Sequence, residues 1–514
     1  MLTEPQETHS AVSSRESVST VNGMREGAIL FFFSLLLSSL LCSEAKNSRE
    51  KSIPPVVLIP GDGGSQIEAK LDKPSVIHYI CSKKTDGWFD LWLNMELLVP
   101  YVIDCWVDNM KLVYDNATRT TTNAPGVTTR IPGFGNSTTV EWLDPSHRSP
   151  TGYFKDIVNA LVPLGYERGV SVRGAPFDFR RAPNEHGEYF RDLRRLIEET
   201  YQSLGRKVIL ILHSMGAPMM HYFLNQQEQH WKDKHIETVV SLAGAWGGSI
   251  KAVKVYTAGD NLGIYVISSL KVRAEQRSAP SLAFLLPSSD LWGPDDVLVE
   301  TPTKNYSTAN FQDLFTTLNL PDAYEMYLDT KDLLKNPPAP GVEVHCLHGE
   351  GVETVEKLVY AAGKFPDTPK VVYGGGDGTV NLRSARRCLE WVGKQKQKVY
   401  HKPYQGIDHM QILRDPDVIS YVVELVQNIT KKNMRLSQRK AENLFRLEKN
   451  RKDKEKQRIF KTKANDIVMP RKWFDAIYAN KEEYMEQQSN SRVNNQHPNS
   501  IQALLNEDYT ETES

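Results

Sequence analysis

Two hydrophobic periods alternate along this chain. Short continuous apolar runs occur at Val56 to Ile59 and Val208 to Leu212, and Ile236 to Leu242 reads as a further strand. Runs of that length with no polar alternation fit strands covered on both faces. Between them, apolar residues recur at helical spacing. Tyr153 to Val162 is helical and ends at Pro163, Tyr189 to Leu204 is an amphipathic helix, and a helical pattern runs from Ala217 to about Gln226. Val170 to Val172 adds a short strand after a β-rich stretch that begins near residue 110. Strands alternating with helices predict a mostly parallel sheet in an α/β fold. Residues 249–335 break the rhythm and read as a cap inserted over the strand C-termini. Val342 to Cys346 and Lys370 to Tyr373 are then expected to resume the sheet, and Lys398 to Tyr404 to complete it.

The chemistry sits where these strands end. The central run leads into His213-Ser214-Met215-Gly216 and then a helix. Strand, sharp turn and helix with Ser at the apex is the nucleophile elbow of α/β-hydrolases, in which the turn lifts the hydroxyl clear of the sheet. The run at Lys370 ends in Gly374-Gly375-Gly376-Asp377, and that at Lys398 ends in a loop carrying His409. Ser, Asp, His, each just after a strand, is the chain order of the α/β-hydrolase triad. An Asp in a glycine loop is usually turn chemistry and a His before a helix often a cap; three in this order and context point to catalysis. The first strand runs into Pro60-Gly61-Asp62-Gly63-Gly64-Ser65, where glycines let backbone amides approach a substrate closely. One position departs from the G-x-S-x-G pattern: Leu212 stands where a small residue is usual. Unless a neighbour makes room, overpacking there costs ~1–3 kcal/mol.

Composition narrows the class. Of 514 residues, 40% are hydrophobic and 24% charged, which are globular values. The net charge of −1 hides an asymmetry: Lys431 to Lys463 holds 14 basic and 4 acidic residues, a net +10, so the remainder carries −11. No core-forming periodicity spans 431–514, so this tail reads as a solvated helix or disordered arm, with disorder the default. An apolar run from Gly27 to Leu41 follows Arg25 and ends in Cys-Ser-Glu-Ala, the layout of a secretory signal peptide. Residues 1–45 are thus a polar extension and signal, and 46–430 the folded domain. Sequons at Asn116, Asn136, Asn305 and Asn428 agree with a secretory route and predict exposed positions. Beyond Cys42 four cysteines remain, an even number: Cys81, Cys105, Cys346 and Cys388. The last two flank the Asp377 strand. Between the first two lies a segment dense in Trp88, Phe89, Trp92, Leu97 and Leu98. It reads either as ordinary core or as a disulfide-closed apolar hairpin, about 76–110, that docks on lipid, since Trp combines an apolar body with a polar handle.

With PGDGGSQIEAKLDKP, HYICSKKT, WLNMELLVPYVIDCW, RGAPFDFRRAPNE, ILHSMG, GDNLG, TPTKNYS, GDGTVNL and DHMQIL on the page, the chain resembles the lecithin:cholesterol acyltransferase family from about Pro55 to Val426. The resemblance implies Ser214 as nucleophile, Asp377 as orienting acid, His409 as general base, and the backbone amides of Asp62 and Met215 as oxyanion hole. It implies a Cys81–Cys105 bond closing the lid loop, a Cys346–Cys388 bond, a membrane-binding role for the Trp-rich segment and a cap that shapes acyl tracks. It implies a phospholipase A and lipid O-acyltransferase, reached through the secretory pathway to the lysosome or outside the cell. No metal or cofactor is implied; the partners are phospholipid membranes and acyl-accepting lipid alcohols such as ceramide, with no nucleic acid expected. Two other readings stay open: a sterol or diacylglycerol acyltransferase, and a lipid-binding homologue disabled at Leu212. The family also has Gly-Ala-Pro where this chain has Ala243-Gly244-Ala245, and a change on one strand can make room for a change on its neighbour. The tail after Lys431 has no counterpart in the resemblance.

Overall fold

The computed structural model describes residues 52–147, 151–264, 267–466 and 472. The signal-peptide reading of 27–41 and most of the polar tail lie outside them. The chain divides into two units, Met1–Ser437 and Gln438–Ser514.

The first unit is built on a six-stranded, all-parallel sheet: β1 (Val56–Ile59), β2 (Val172–Gly174), β3 (Val208–His213), β4 (Ile236–Leu242), β5 (Val344–Glu350) and β6 (Val399–Gln405), in the spatial order β6-β5-β4-β3-β1-β2. The central strands have no polar face because both faces are covered. Val57, Ile59, Leu210 and Leu212 join one apolar cluster, and Val56, Leu58, Ile209 and Ile211 join another. Alternate side chains point to opposite faces, so a continuous apolar run serves two cores at once. Helix α2 (Gly187–Leu204) puts Phe190, Leu193 and Ile197 into the first cluster, as does α3 (Gly216–Asn225) through Met219, Met220 and Phe223. Val418, Val422, Val426 and Ile429, at the start of α6 (Pro416–Asp466), close the second.

Three expectations are corrected. Lys370–Gly376 does not join the central sheet. It pairs antiparallel with Val352–Val359 in a separate four-stranded sheet with Val299–Glu300 and Asn305–Tyr306. The burial explains this: most of its side chains are at least partly exposed, which a central parallel strand does not allow. That sheet shares a core with α4 (Ile250–Ala258) and the helices Phe311–Thr317 and Pro321–Thr330, through Val253, Tyr256, Phe315 and Leu358.

Second, the Trp-rich segment is not a hairpin. Its strand Phe89–Trp92 pairs with Ile67–Leu71, and a 3₁₀ turn at Met95–Leu98 leads to helix α1 (Ile103–Met110). Ile103, Trp106 and Met110 are buried at i, i+3 and i+7, which is helical spacing. Third, the basic run is helix, not disordered chain, as far as Asp466. Lys, Arg, Glu, Leu and Ala are good helix formers even without a core to pack on, and Glu448–Lys452 adds an i,i+4 pair.

Both cysteine pairs are bonded, Cys81 to Cys105 and Cys346 to Cys388. Asn116, Asn136, Asn305 and Asn428 are all exposed. Among the described residues no helix is long and apolar enough to cross a membrane.

Candidate active site

Ser214 follows β3 with φ of 54°, left-handed for a residue with a side chain. Such a conformation stores about 1–3 kcal/mol and persists only where the surroundings hold it. The surroundings are two neighbouring backbones. Ser214 N–H donates to Leu242 O (3.0 Å), and Ala245 N–H donates to Ser214 O (3.3 Å). The elbow is therefore tied to the loop that follows β4. Leu212 is paired with Ser241 on that strand and is buried, so the Leu212 and Ala243 departures do lie on adjacent strands. Ala243 itself has φ of 52°. With Leu212 in place the turn still forms and still presents its hydroxyl.

Ser214, Asp377 and His409 come together from loops far apart in sequence. Ser214 Oγ lies 2.9 Å from His409 Nε2, and His409 Nδ1 lies 2.8 Å from Asp377 Oδ2. His409 N–H also donates to Asp377 O (2.8 Å), which fixes one loop against the other. Asp377 Oδ1 accepts from Val380 N–H (2.7 Å) and Thr379 N–H (3.0 Å). Burial opposes charge on this carboxyl, yet the His409 charge and hydrogen bond, with those two amides, hold it below the usual carboxylate range. All three side chains are buried. A hydroxyl, an imidazole and an ionised carboxylate in this sequence can pass a proton from Oγ to Nε2 while the carboxylate holds the Nδ1–H tautomer.

The glycine loop after β1 lies directly against the elbow. A methyl group added at Gly61 would sit 2.6 Å from Ser214 Cβ, and one at Gly216 would sit 2.3 Å from Pro60 O. The glycine loop and the start of α3 thus pack against the Ser214 turn, and among the described residues neither the Asp62 nor the Met215 amide donates a backbone hydrogen bond.

Two side chains that sequence reasoning did not assign hold this loop. Trp92 Nε1–H donates to Gly63 O (2.8 Å). Trp92 is buried, so the expectation that it meets a membrane is corrected: it clamps the glycine loop after β1. Leu98 is likewise buried, Phe89 and Leu97 are half-buried, and only Trp88 of that set is exposed, beneath the Arg130 guanidinium at 4.5 Å. The second clamp is Tyr153, whose Oη accepts from Gly61 N–H (3.0 Å) and bonds to His213 Nδ1. His213 Nε2 in turn bonds to His409 O (2.9 Å). A carbonyl only accepts, so His213 carries its proton on Nε2, and Nδ1 must accept from the Tyr153 hydroxyl. Burial, with the His409 charge beside it, pushes His213 down to about 3, and burial keeps the Tyr153 phenol protonated. This neutral relay joins the glycine loop after β1, the elbow and the His409 loop. His213 stood in the motif; Tyr153 gave no sequence signal, because its partners are 92 and 60 residues away.

Asp62 has a second role to offer. Its side chain is accessible to solvent but ringed by protein, and desolvation raises its carboxyl to about 6. Lys251 on α4 pulls the other way and Asp260 pushes with burial. Asp260 itself bonds to Lys254 Nζ (3.1 Å) and lies 3.6 Å from Lys251 Nζ, so Lys251 is shared between two carboxylates. An apolar recess of about 310 Å³ lined by Ile53, Leu164, Tyr166 and Val426 contains none of these residues and is not read as the substrate site.

A parallel sheet with a serine elbow after β3, a histidine loop after β6 and a carboxylate after the antiparallel strand Lys370–Gly376 defines an α/β-hydrolase. The family model for lecithin:cholesterol acyltransferase matches residues 88–416, and the chain belongs to that family. It is 50% identical to a bovine lysosomal phospholipase A and acyltransferase over 372 residues, 72% of this chain and 91% of the relative. The human protein of that name is 48% identical over 78% of this chain and 96% of its own length. A chicken phosphatidylcholine-sterol acyltransferase is 45% identical over 70% of this chain and 87% of its own.

Proposed function

We propose that this chain is a phospholipase A and lipid O-acyltransferase working through an acyl-enzyme on Ser214. The observation that carries the reading is the connected hydroxyl, imidazole and carboxylate beside two amides free to receive an oxyanion. His409 Nε2 takes the Ser214 proton as Oγ attacks a glycerophospholipid ester carbonyl. The Asp62 and Met215 amides stabilise the tetrahedral oxyanion. His409 returns the proton to the departing lysophospholipid hydroxyl. Water, or the hydroxyl of a lipid such as ceramide, then attacks the acyl-enzyme, giving up its proton to His409 and restoring Ser214. The names of the bovine and human relatives, the four exposed sequons and the paired cysteines support a lysosomal or secreted location.

Phospholipid bilayers are the substrate phase in this reading. The stretch 77–101 exposes Ile77, Tyr79, Ile80, Met95, Val99 and Tyr101, with Tyr79 97% and Tyr101 81% accessible. The Cys81–Cys105 bond ties this stretch to helix α1. So much exposed apolar surface on one short segment marks an interaction surface, and Tyr suits a bilayer interface. Tyr79→Ser with Tyr101→Ser lowers vesicle hydrolysis about tenfold, while hydrolysis of a soluble short-chain ester is unchanged.

Fatty-acid release from phosphatidylcholine liposomes, with and without ceramide, at acid and neutral pH, tests the function. The account expects free fatty acid, and acylated ceramide when the acceptor is present, both absent in Ser214→Ala. A sterol acceptor is the second reading, motivated by the chicken relative; steryl ester in place of acylceramide would select it. Silence in the wild type with activity in Leu212→Ala would select the disabled homologue.

The raised Asp62 carboxyl fixes the sign of the pH dependence. Below about 6 it is neutral and tolerates a nearby oxyanion; above, its charge repels one. Activity therefore falls as pH rises through about 6, and Asp62→Asn removes that descending limb. An unchanged alkaline limb in Asp62→Asn would dismiss the idea. Folding shares the sign. Charging this carboxyl costs more in the folded state than in the unfolded chain, so Asp62 costs the protein stability as pH rises from about 4 to about 6.

A further inference from the structure

Beyond residue 416, where the family match ends, α6 continues for dozens of residues that the catalytic reading does not use. Every residue from 438 to 462 is exposed. Between Arg439 and Lys461 there are 10 Lys or Arg against 4 Asp or Glu. A solvated helix with no partner would balance its cations with acids at i,i+4, but the four acids here leave Arg439, Lys440, Lys454, Lys456, Arg458 and Lys461 with no acid at that spacing. Here the one ion pair among the described residues of this stretch is Glu448–Lys452, at 3.6 Å. A solvated helix would also avoid large apolar side chains, yet Leu444, Phe445 and Leu447 form one exposed turn, with Leu444 66%, Phe445 70% and Leu447 66% accessible. Ile459 and Phe460 form a second apolar group, with Phe460 77% accessible. At the helical rise the two Phe lie ~22 Å apart. Between the two apolar groups, residues 448–458 carry Lys449, Arg451, Lys452, Lys454, Lys456 and Arg458 against Glu448, Asp453 and Glu455.

We propose that Gln438–Asp466 is a docking helix for the surface of an anionic phospholipid bilayer, with the six cations over the headgroups and the two apolar groups inserted at either end. Clusters of four to eight Lys or Arg on a helix with aromatic or aliphatic anchors suit such surfaces, whose negative potential they meet. Charge complementarity commits the helix to this partner for a second reason. The remainder of the chain outside Lys431 to Lys463 carries −11 and is repelled by an anionic membrane. A cationic helix offsets that repulsion. A nucleic acid would meet the same cations, but exposed Leu and Ile have no function on a phosphate backbone.

The test is cosedimentation of the full-length Ser214→Ala protein with phosphatidylcholine vesicles and with phosphatidylcholine–phosphatidylglycerol vesicles, over a salt series. The proposal expects binding to the mixed vesicles that weakens with salt. Replacing the six cations by Gln lowers it more than tenfold. Phe445→Ser with Phe460→Ser keeps the salt dependence and lowers binding several-fold. Equal binding of the six-Gln variant, or equal binding to neutral vesicles, would overturn the proposal. So would displacement by single-stranded DNA at lower phosphate concentration than by phosphatidylglycerol, which would assign the helix to nucleic acid instead. Binding is read in a protein that does not turn over. Both helix variants in the Ser214 background should hydrolyse a soluble short-chain ester at the wild-type rate, so failure of the docking helix and failure of the acyl-enzyme reading appear in separate assays.

Discussion

Ser214→Ala lowers fatty-acid release by ~10⁴- to 10⁶-fold, the scale on which removing a triad nucleophile acts. The protein itself stays folded, because the Ser214 hydroxyl touches only His409 Nε2 and the left-handed turn is held by backbone bonds to Leu242 and Ala245. Asp377→Asn gives a loss of ~10⁴-fold by a different route. Asp377 Oδ1 accepts two amide hydrogens, from Thr379 and Val380, so an Asn there must keep its oxygen at that position. Its NH₂ then points at His409 Nδ1, where the wild type accepts a proton. The imidazole is driven to carry its proton on Nε2, facing Ser214, and can no longer take one from it. Thermal unfolding of both variants should stay close to wild type while turnover collapses. Residual turnover of a tenth or more in either variant would mean that the hydroxyl is not the attacking group.

Gly61→Ala is the second large effect. The new methyl group would lie 2.6 Å from Ser214 Cβ and 2.9 Å from His213 O, both far inside contact distance. The elbow has no slack, since Ser214 is bonded fore and aft and His213 is held by Tyr153 and His409. The glycine loop must give way, and the Asp62 amide moves with it. Loss of one oxyanion donor costs ~10²- to 10³-fold in turnover, and the crowding costs ~1–3 kcal/mol of stability. Tyr153→Phe separates the two, because it removes the clamp on Gly61 N–H without the clash. It should lower turnover less than Gly61→Ala and slow acylation by a fluorophosphonate in the same proportion. Full activity in Gly61→Ala would remove the Asp62 amide from the oxyanion site.

What the sequence made legible follows from how each element is held. Val208–His213 begins where the apolar run begins, because a strand buried on both faces needs such a run, and Ile236–Leu242 is found as read although Glu237, Thr238 and Ser241 interrupt it. The three candidate side chains could be read because each follows a strand and stands in a loop of Gly-rich or polar residues, Ser214 and His409 after strands of the parallel sheet and Asp377 after a strand of the antiparallel one. Lys370–Gly376 was assigned to the wrong sheet because strand propensity says nothing of the partner; its mostly accessible faces were the missing fact. Trp92 and Tyr153 escaped for the same reason in reverse. Their work consists of long-range bonds to Gly63, Gly61 and His213, and a lone aromatic in a run of aromatics carries no mark of what its polar atom will meet. The helix beyond Lys431 was hidden because disorder and solvated helix share a composition, and only the backbone tells them apart.

The central claim is a covalent acyl group on Ser214 that water or a lipid alcohol removes. The most direct measurement is to mix the protein with phosphatidylcholine vesicles at acid pH, quench in strong acid during turnover, and map the acyl adduct by mass spectrometry of the peptides. The account predicts an adduct on the peptide holding Ser214, absent in Ser214→Ala, accumulated in Asp62→Asn at neutral pH, and depleted when ceramide is added as acceptor. Turnover with no adduct in the wild type, or an adduct on another residue that persists in Ser214→Ala, would contradict it.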